Sequence, residues 1–414
     1  MREPPIRGPQ LPADALDRIL TARPEAAGLP AEAYTSAEVH AFEQELLQRR
    51  GWVCLGRTDQ VAERGAQRAL TVAGEGVLVV RDTETVGVFV NACRHRGHEL
   101  VRSGCAVRRS TVWCAYHAWV YRLDGTLRAA PRFGDLAERD PVGMGLTPVR
   151  SEEWHGFLFV NLSGDAPSLA ATAGNLGPLL EAYEPAGLIR TAEHEYEVSA
   201  NWKLLVENYL ECYHCPSTHP ELSKVQRTTH GLDFEDRGLW LGGYLDLDND
   251  AVSMSLDGRG PDWRFPGLDE ERARQVCYHA LLPGLFITAM HDYLVVHRIQ
   301  PLAADRTRVV CEVLFPRALL DLGTDPGYAA EFWDVTNRQD WQACESVQRG
   351  ITRPGFTPGP LAPEEEGLGR FLATMAFLYR SGRSPSAPWP TPSAYPGALR
   401  TAATAGTTAG RQAR

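Results

Sequence analysis

Two pairs of potential metal ligands lie close together in the first third of the chain. Cys93 and His95 are separated by one residue, Cys114 and His117 by two, and 18 residues lie between the pairs. Two thiolates and two imidazoles suit a two-iron, two-sulfide cluster in which the cysteines bind one iron and the histidines bind the other. Imidazole ligands raise the reduction potential of such a cluster above that of an all-cysteine cluster. The spacing therefore predicts a one-electron centre of moderate potential.

A structural zinc site is the alternative interpretation, because two Cys and two His also satisfy a tetrahedral zinc ion. Paired zinc ligands are usually separated by two or more residues, so the single residue between Cys93 and His95 is short for two ligands of one ion. The same spacing is easier to accommodate when the two residues bind different irons. Each pair follows a predicted β-strand, over 85–91 and 111–113. Two hairpin loops that hold one cluster are the simplest arrangement.

A second histidine pair, His214 and His219, lies in a segment rich in polar groups. On an unbroken helix these side chains would point about 140° apart and could not share a metal ion. Pro216 and Pro220 disfavour helix at the residues before them, so we expect the helix to end near Cys215 and His219 to turn back toward His214. Two His and one carboxylate on one face of an octahedral site are typical of non-haem Fe(II) centres that activate O₂.

Three carboxylates could complete this second site: Glu207, Glu211 and a distant acid. Glu211 lies three residues before His214, where it could accept a hydrogen bond from the second ring nitrogen and orient the imidazole. Asp340 lies in the middle of a long predicted helix, at a position expected to be buried, and a buried acid needs a partner. Iron would be such a partner, and the alternative is an acid satisfied within the core or at the surface.

The composition limits the classes of protein to consider. The chain has 414 residues, of which 43% are hydrophobic and 23% charged, as in ordinary globular proteins. A net charge of −10 argues against a nucleic-acid partner. The absence of a long apolar stretch and of a secretion-type N-terminus predicts neither a membrane span nor export. Nine cysteines without a disulfide-like pattern fit a reducing cytoplasm.

Positive charge is concentrated around the predicted cluster. Residues 93–132 contain two acids, Glu99 and Asp124, and eight arginines, which we term the arginine collar: Arg94, Arg96, Arg102, Arg108, Arg109, Arg122, Arg128 and Arg132. A solvated loop surface is one interpretation of this segment. The other is that the collar attracts an acidic electron donor toward the cluster.

The elements expected to position these ligands form an α+β protein. Residues 1–50 comprise a loosely ordered arm, over 1–35, and an amphipathic helix capped by Ser36. Short strands and turns over 51–165 predict a small all-β domain that carries the cluster. Over 166–380, helices at 200–212, 328–350 and 364–379 and successive strands from 239 to 315 predict a larger domain, an antiparallel sheet covered by helices in a helix-grip arrangement. The Ser-, Pro- and Ala-rich segment 381–414 is expected to be disordered.

Over about residues 36–380, these motifs resemble those of the Rieske non-haem iron oxygenases, in their catalytic (alpha) subunit. The shared features are the two ligand pairs, the His pair, Asn201-Trp202-Lys203, Glu207-Asn208-Tyr209, and a late Asp followed by Val347-Gln348-Arg349-Gly350. The resemblance implies a Rieske [2Fe-2S] cluster on Cys93, His95, Cys114 and His117, and a mononuclear Fe(II) on His214, His219 and Asp340. It also implies that Asn208 and Glu211 act in catalysis, with Glu211 at a position where ring dioxygenases carry Asp.

The resemblance further implies an assembly and a partner. In the family, three subunits form a homotrimer, and the cluster of one subunit passes electrons to the mononuclear iron of its neighbour. Glu211 would then link His214 to His117 of the adjacent subunit. The chain contains no G-x-G-x-x-G loop after a strand and no second, all-cysteine cluster motif. A separate flavin- or ferredoxin-containing reductase is therefore expected to deliver electrons from NAD(P)H.

The segment 213–222 and the Glu at the bridging position look most like the branch that acts on choline, glycine betaine and related N-methyl ammonium compounds. Hydroxylation beside the nitrogen of such a compound, with one atom of O₂, would release an aldehyde and a demethylated amine. Aromatic faces would bind the cation, although aromatic side chains are more often plain core. The candidate pocket residues are Trp240, Tyr244, Trp263, Phe265, Asp292, Tyr293 and His297.

Two other functions stay open at the level of the sequence. One is hydroxylation or dihydroxylation of an aromatic ring, or tailoring of a natural product, by the same pair of metal centres. The other is a Rieske electron carrier without catalysis, against which the His pair and Asp340 argue.

Overall fold

The structure, a computed structural model, describes residues 5–21, 28–133, 135, 143–229 and 231–383. Most of the tail predicted over 381–414 lies outside these residues. Within them, no helix is long and apolar enough to cross a membrane.

The N-terminal region is helical where it is described. It forms α1 (Ala13–Thr21), α2 (Glu32–Thr35) and α3 (Ala37–Glu43), which continues into a π-helical segment, Gln44–Arg49. The Ser36 hydroxyl caps α3, as predicted, by accepting hydrogen bonds from the backbone N–H groups of Glu38 and Val39. The expectation of a loosely ordered arm was wrong for the described part of 1–35, because Leu16 and Ile19 are buried in an apolar cluster with residues of the larger domain.

Within the described residues, ten short strands form the β-rich domain in three antiparallel sheets. One sheet has the order β1-β10-β9, the second β4-β3-β2-β5 and the third β6-β7-β8. Their bounds are β1 Val53–Arg57, β2 Ala66–Val72, β3 Glu75–Arg81, β4 Val86–Val90, β5 Ala106–Arg108, β6 Val112–Trp113, β7 Val120–Tyr121, β8 Leu127–Ala129, β9 Arg150–Trp154 and β10 Phe157–Asn161. The loops after β4 and β6 carry the two predicted ligand pairs.

A seven-stranded antiparallel sheet with the order β11-β17-β16-β15-β14-β13-β12 forms the larger domain. Its bounds are β11 Ile189–Val198, β12 Leu232–Asp233, β13 Trp240–Asp246, β14 Gln275–Leu281, β15 Leu285–Ala289, β16 Leu294–Ala303 and β17 Arg306–Phe315. The strand predictions between 239 and 315 agree with β13 to β17. Strand β11 was not predicted, because its glutamates leave too little apolar content to signal a strand.

Helices pack against both faces of this sheet. They are α4 Leu169–Ala173, α5 Leu176–Leu180, α6 Trp202–Tyr209, α7 Cys215–Thr218, α8 Leu222–Val225, α9 Arg317–Asp321, α10 Gly327–Ile351 and α11 Glu366–Ser381, with short 3₁₀ turns at Thr58–Val61, Glu181–Tyr183, Pro185–Gly187, Arg272–Arg274 and Pro363–Glu365. Side chains of α6, α10 and α11 pack with one face of the sheet in a single apolar cluster. The opposite face packs against α4, α5 and β10. This arrangement is the α+β fold expected from the sequence.

Candidate metal centres

The two Cys–His pairs lie in loops that have the same pattern of backbone hydrogen bonds. In the loop after β4, the N–H of Cys93 donates to the carbonyl of His98, and the N–H of Gly97 donates back to Cys93. In the loop after β6, the N–H of Cys114 donates to the carbonyl of Trp119, and the N–H of Ala118 donates to the carbonyl of Cys114. Both loops therefore present a Cys and a His from a closed turn.

The four side chains of these loops differ in their exposure to solvent. The thiols of Cys93 and Cys114 are buried, and they lie close enough to interact. The rings of His95 and His117 meet edge to face with their centroids 4.6 Å apart. His117 is exposed, whereas His95 stacks on Trp119 and its Nδ1 is buried without a hydrogen-bond partner among the described residues. Two buried sulfurs and an unsatisfied imidazole nitrogen fit a bound metal cluster with one edge near the surface.

The His214–His219 pair forms where helix α6 stops. The helix was predicted to continue to Cys212, but it ends at Tyr209. Beyond it, the Glu211 carboxylate accepts hydrogen bonds from the backbone N–H groups of Tyr213 and His214, which favours a turn over further helix. His219 then turns back as expected from the prolines, and its Nε2 lies 3.2 Å from the Nε2 of His214.

Asp340 of α10 completes a triad with these histidines. Its Oδ1 lies 2.9 Å from the Nε2 of His219 and 3.4 Å from the Nε2 of His214. Each Nδ1 faces a side-chain oxygen: that of His214 lies 2.5 Å from Glu211 Oε1, and that of His219 lies 2.8 Å from Gln339 Oε1. These oxygens can only accept, so each Nδ1 carries a proton, and Nε2 is the ring nitrogen that faces Asp340 and can bind a metal ion once its own proton has left. Two such nitrogens and a carboxylate oxygen that converge fit a metal cation.

The charges around the triad also favour a cation. Burial lowers the pKa of His214, but hydrogen bonds with Asp340 and Glu211 outweigh it and raise the pKa to about 9. The pKa of Asp340 is lowered, because the two imidazoles offset the effect of its burial. The site therefore attracts positive charge, which a proton supplies when no metal ion is bound. Gln339, whose amide also donates to Glu221 at 2.8 Å, was not predicted as a site residue.

Cys215 and Glu207 are two other potential ligands in this part of the chain. The Sγ of Cys215 and nitrogens of the two imidazoles lie within 4.8 Å of one another, but Cys215 is joined to Cys212 in a disulfide, which leaves Asp340 as the better candidate for the third ligand. This disulfide differs from the sequence-based expectation of cysteines without a disulfide-like pattern. Glu207, the other candidate carboxylate, points away from the triad and accepts a hydrogen bond from Tyr34 at 2.7 Å.

A cavity of about 450 Å³ opens beside the triad. Asn208 and Glu211 line it, and the Nδ2 of Asn208 lies 3.2 Å from the Nε2 of His214. Aromatic rings form much of its wall, namely Tyr209, Tyr213, Tyr244, Tyr278, Phe286, Trp333 and Trp341. The cavity therefore brings together the three candidate ligands and an aromatic binding surface.

Of the seven pocket candidates taken from the sequence, Tyr244 and His297 line this cavity. The other five do not. Trp240, Trp263 and Phe265 pack on the opposite face of the sheet, and Tyr293 packs in a third core cluster. Asp292 is fully buried and accepts hydrogen bonds from Ser253 and Tyr328. The aromatic content was informative, but four of the five misplaced residues lie outside the strands, where no periodicity indicates the direction of the side chain.

Comparison with known proteins identifies the class. A model of the Rieske [2Fe-2S] domain matches residues 51–140, and a model of the ring hydroxylating alpha subunit, catalytic domain, matches residues 186–380. The chain therefore belongs to the Rieske non-haem iron oxygenases, as an alpha subunit. It is an oxidoreductase that carries a [2Fe-2S] cluster and a mononuclear non-haem iron, and a separate reductase supplies its electrons. The zinc site and the electron carrier without a catalytic domain are thereby excluded.

Individual relatives show which members of this class the chain is similar to. The chain is 31% identical over 378 residues to the glycine betaine monooxygenase oxygenase subunit of Chromohalobacter salexigens, covering 84% of each chain. It is 31% identical over 359 residues to the carnitine monooxygenase oxygenase subunit of Escherichia coli K12, covering 84% of this chain and 88% of the relative. A solved quaternary ammonium Rieske monooxygenase has the same fold, with a TM-score of 0.74 at 23% identity over 90% of this chain and 99% of that chain.

Proposed function

We propose that this protein is the oxygenase component of a monooxygenase that hydroxylates an N-methyl group of a quaternary ammonium compound. The hydroxymethyl ammonium product would lose the methyl carbon as formaldehyde and leave a demethylated amine. The observation that carries the proposal is the character of the cavity wall. Aromatic faces and carboxylates line it, and no Lys or Arg occurs among its described lining residues. Such a wall favours a cation over an anion.

We assign the metal ligands residue by residue from the geometry and the family. Cys93, His95, Cys114 and His117 would hold the [2Fe-2S] cluster, and His214, His219 and Asp340 the mononuclear iron. When bound, these centres supply the electrons and the O₂ chemistry of the reaction. The supporting side chains act on the ligands: Glu211 and Gln339 hold the Nδ1 protons that keep each Nε2 free. Asn208 lines the cavity next to His214.

The proposal includes an assembly, in which three copies of the chain form a homotrimer in the cytoplasm. His117 is exposed at the edge of the candidate cluster site, as an electron exit to another subunit requires. Glu211 would connect the candidate iron site to that neighbour. We further propose that the cluster domain spans about residues 51–165 and the catalytic domain about 166–380.

The proposal is tested by product analysis with a surrogate reductase and NAD(P)H. Trimethylammonium compounds and aromatic acids would be compared for O₂ uptake, formaldehyde release and diol formation. We expect formaldehyde in step with O₂ consumption for the ammonium compounds. The Asp340→Ala variant serves as the control for background oxidation. A cis-diol from an aromatic acid, with no formaldehyde from any ammonium compound, would contradict the proposal and favour a ring dioxygenase.

A further inference from the structure

The disulfide between Cys212 and Cys215 encloses His214, and neither cysteine has a role in the proposed function. We propose that this pair is a redox modification site, and that reduction of the disulfide frees Cys215 to bind the mononuclear metal as an additional ligand. Oxidation of the pair withdraws this sulfur and leaves the open positions that O₂ chemistry requires. The inference rests on the proposed function for the identity of the metal site, but not for the substrate.

The sulfur of Cys215 lies at the candidate iron site. Its Sγ and one ring nitrogen of each of His214 and His219 lie within 4.8 Å of one another. The N–H of His219 donates to the carbonyl of Cys215 at 2.9 Å, which places these two residues one helical turn apart across α7. Ligands that lie about 2.0–2.3 Å from one metal ion are at most about 4.4 Å apart. A small movement of the freed side chain therefore brings the Cys215 sulfur into the same ligand set.

The bond to Cys212 keeps this sulfur away from the metal. The thiolate is the form of cysteine that binds metals, and a sulfur in a disulfide has no such charge. Catalytic metal sites have three protein ligands and an open position, whereas structural sites are closed by a fourth. A Cys215 thiolate added to His214, His219 and Asp340 would therefore convert an open site into a closed one.

The cavity gives a small thiol access to the disulfide, because both cysteines line it. Cys212 is partly exposed, whereas Cys215 is only 4% exposed. A reductant thiolate therefore attacks Cys212 Sγ to form a mixed disulfide, and Cys215 leaves as the thiolate beside the metal site. A second reductant thiol then releases Cys212, so that one protein disulfide becomes two thiols while two reductant thiols become one disulfide. Glutathione disulfide drives the same exchange in reverse.

A stabilising role for this disulfide is less consistent with its position. The two cysteines are only three residues apart, and a disulfide that closes so short a loop restricts the unfolded chain very little. In the cytoplasm proposed above, disulfides are usually transient and sense or transfer redox equivalents. The short spacing and the place beside the metal site therefore favour a reversible modification over a structural cross-link.

The experiment loads the mononuclear site of the full, cluster-containing chain with one equivalent of zinc and records X-ray absorption at the zinc edge, which excludes the cluster iron. The protein is first treated with a phosphine reductant or with glutathione disulfide, and alkylation with mass spectrometry reports the state of the pair. We expect one sulfur about 2.3 Å from zinc in the reduced protein and its loss in the oxidised protein. Cys215→Ser should lack this sulfur in both states, and Cys212→Ser should show it without any reductant.

Cys105→Ser is the matched control, because Cys105 is a free, exposed cysteine that does not line the cavity, and it should behave as the wild type. Zinc bound by nitrogen and oxygen alone, in wild-type protein whose two thiols are confirmed by alkylation, would overturn the inference. A pair that glutathione disulfide does not oxidise, or a sulfur that persists in Cys215→Ser, would also overturn it. None of these measurements needs a substrate, so a failure to release formaldehyde would overturn the proposed function alone. The wild-type spectra decide the question even if a cysteine variant does not fold.

Discussion

The position of one proton on each imidazole decides what His214 and His219 can bind. Oxygens of Glu211 and Gln339 hold a proton on each Nδ1, and both Nε2 atoms therefore face Asp340 as the nitrogens available to a metal ion. Loss of a supporting side chain of this kind typically lowers the affinity of a metal site about 10–100-fold.

Gln339 provides the clearest test of this support. In Gln339→Leu the Nδ1 of His219 loses its acceptor, and we expect affinity for the mononuclear iron to fall about 10–100-fold. Metal titration with iron analysis measures the change, and the acid-labile sulfide of the cluster should stay at the wild-type level. Gln342→Leu, an exposed position on the same helix, is the matched control. Equal iron affinity in the two variants would contradict this role for Gln339.

Glu211 tests the proposed connection between the metal centres. In Glu211→Gln a side-chain oxygen can still accept from His214, so both centres should remain loaded. Coupled turnover should nevertheless fall by about tenfold or more, because the charge that supports the imidazole and the proposed link is lost. Substrate-dependent O₂ uptake and cluster reoxidation in a single turnover measure this loss. Wild-type turnover in the variant would refute the bridge.

The Cys and His candidates were recognisable in the sequence because their spacing is local, whereas Asp340 is distant from them and the residues around the sites gave no such signal. Cys93 with His95 and His214 with His219 are recognisable within a few positions. Gln339 and His297 act on partners more than 30 residues away, through contacts that only the folded chain creates. Five of the seven pocket candidates were misplaced for the same reason, since four of them lie outside the strands and pack against residues that are distant in the sequence.

At the scale of elements, strand β14 carries a buried titratable group behind the cavity. His279 is fully buried, stacks on Phe234 and lies within hydrogen-bond distance, at Nδ1, of the carbonyl of Ile287. Burial lowers its pKa to about 4, assisted by the charge of Arg272. The unfolded chain therefore binds a proton at this position between about pH 6.5 and 4 that the folded chain does not bind.

This difference predicts the acid sensitivity of the fold. The stability linked to His279 is complete above pH 6.5 and is lost as the pH falls toward 4, which amounts to about 2 kcal/mol at pH 5. His279→Asn keeps a donor for Ile287 without the titration. Denaturant unfolding of both proteins at pH 7 and pH 5 should show the smaller loss in the variant. Equal losses would contradict the assignment.

The elements themselves were predictable where their periodicity is strong. Helices α10 and α11 and strands β13 to β17 agree with the sequence analysis within a few residues. Strand β11 and the N-terminal helices α1 and α2 were missed, because their order comes from packing against the rest of the chain. Helix α6 ends earlier than predicted because the Glu211 carboxylate accepts hydrogen bonds from the backbone N–H groups of Tyr213 and His214.

At the scale of the whole molecule, charge is unevenly distributed along the chain. The arginine collar surrounds the candidate cluster site in a chain of net charge −10. Arg94 and Arg96 are exposed on either side of His95, whereas Arg108 is already paired with Glu63. This distribution fits the attraction of an acidic electron donor to the cluster.

Reduction of the cluster by its donor should therefore slow steeply as salt is added. Arg94→Glu combined with Arg96→Glu should slow reduction further at low salt and flatten the dependence. Stopped-flow absorbance of the cluster measures the rate. Arg317→Glu with Arg353→Glu, two exposed arginines of the catalytic domain, is the matched control. A reduction rate that responds neither to salt nor to the collar substitutions would contradict the electrostatic attraction of the donor.

The proposed activity requires two metal centres held by separate sets of ligands in one chain. The most direct measurement is the iron and acid-labile sulfide content per chain after anaerobic reconstitution, for the wild type and for Asp340→Ala. We predict three irons and two sulfides in the wild type, and two irons with two sulfides in the variant, because the cluster needs two of each and the mononuclear site one. Two irons in the wild type, or the loss of sulfide in Asp340→Ala, would contradict it.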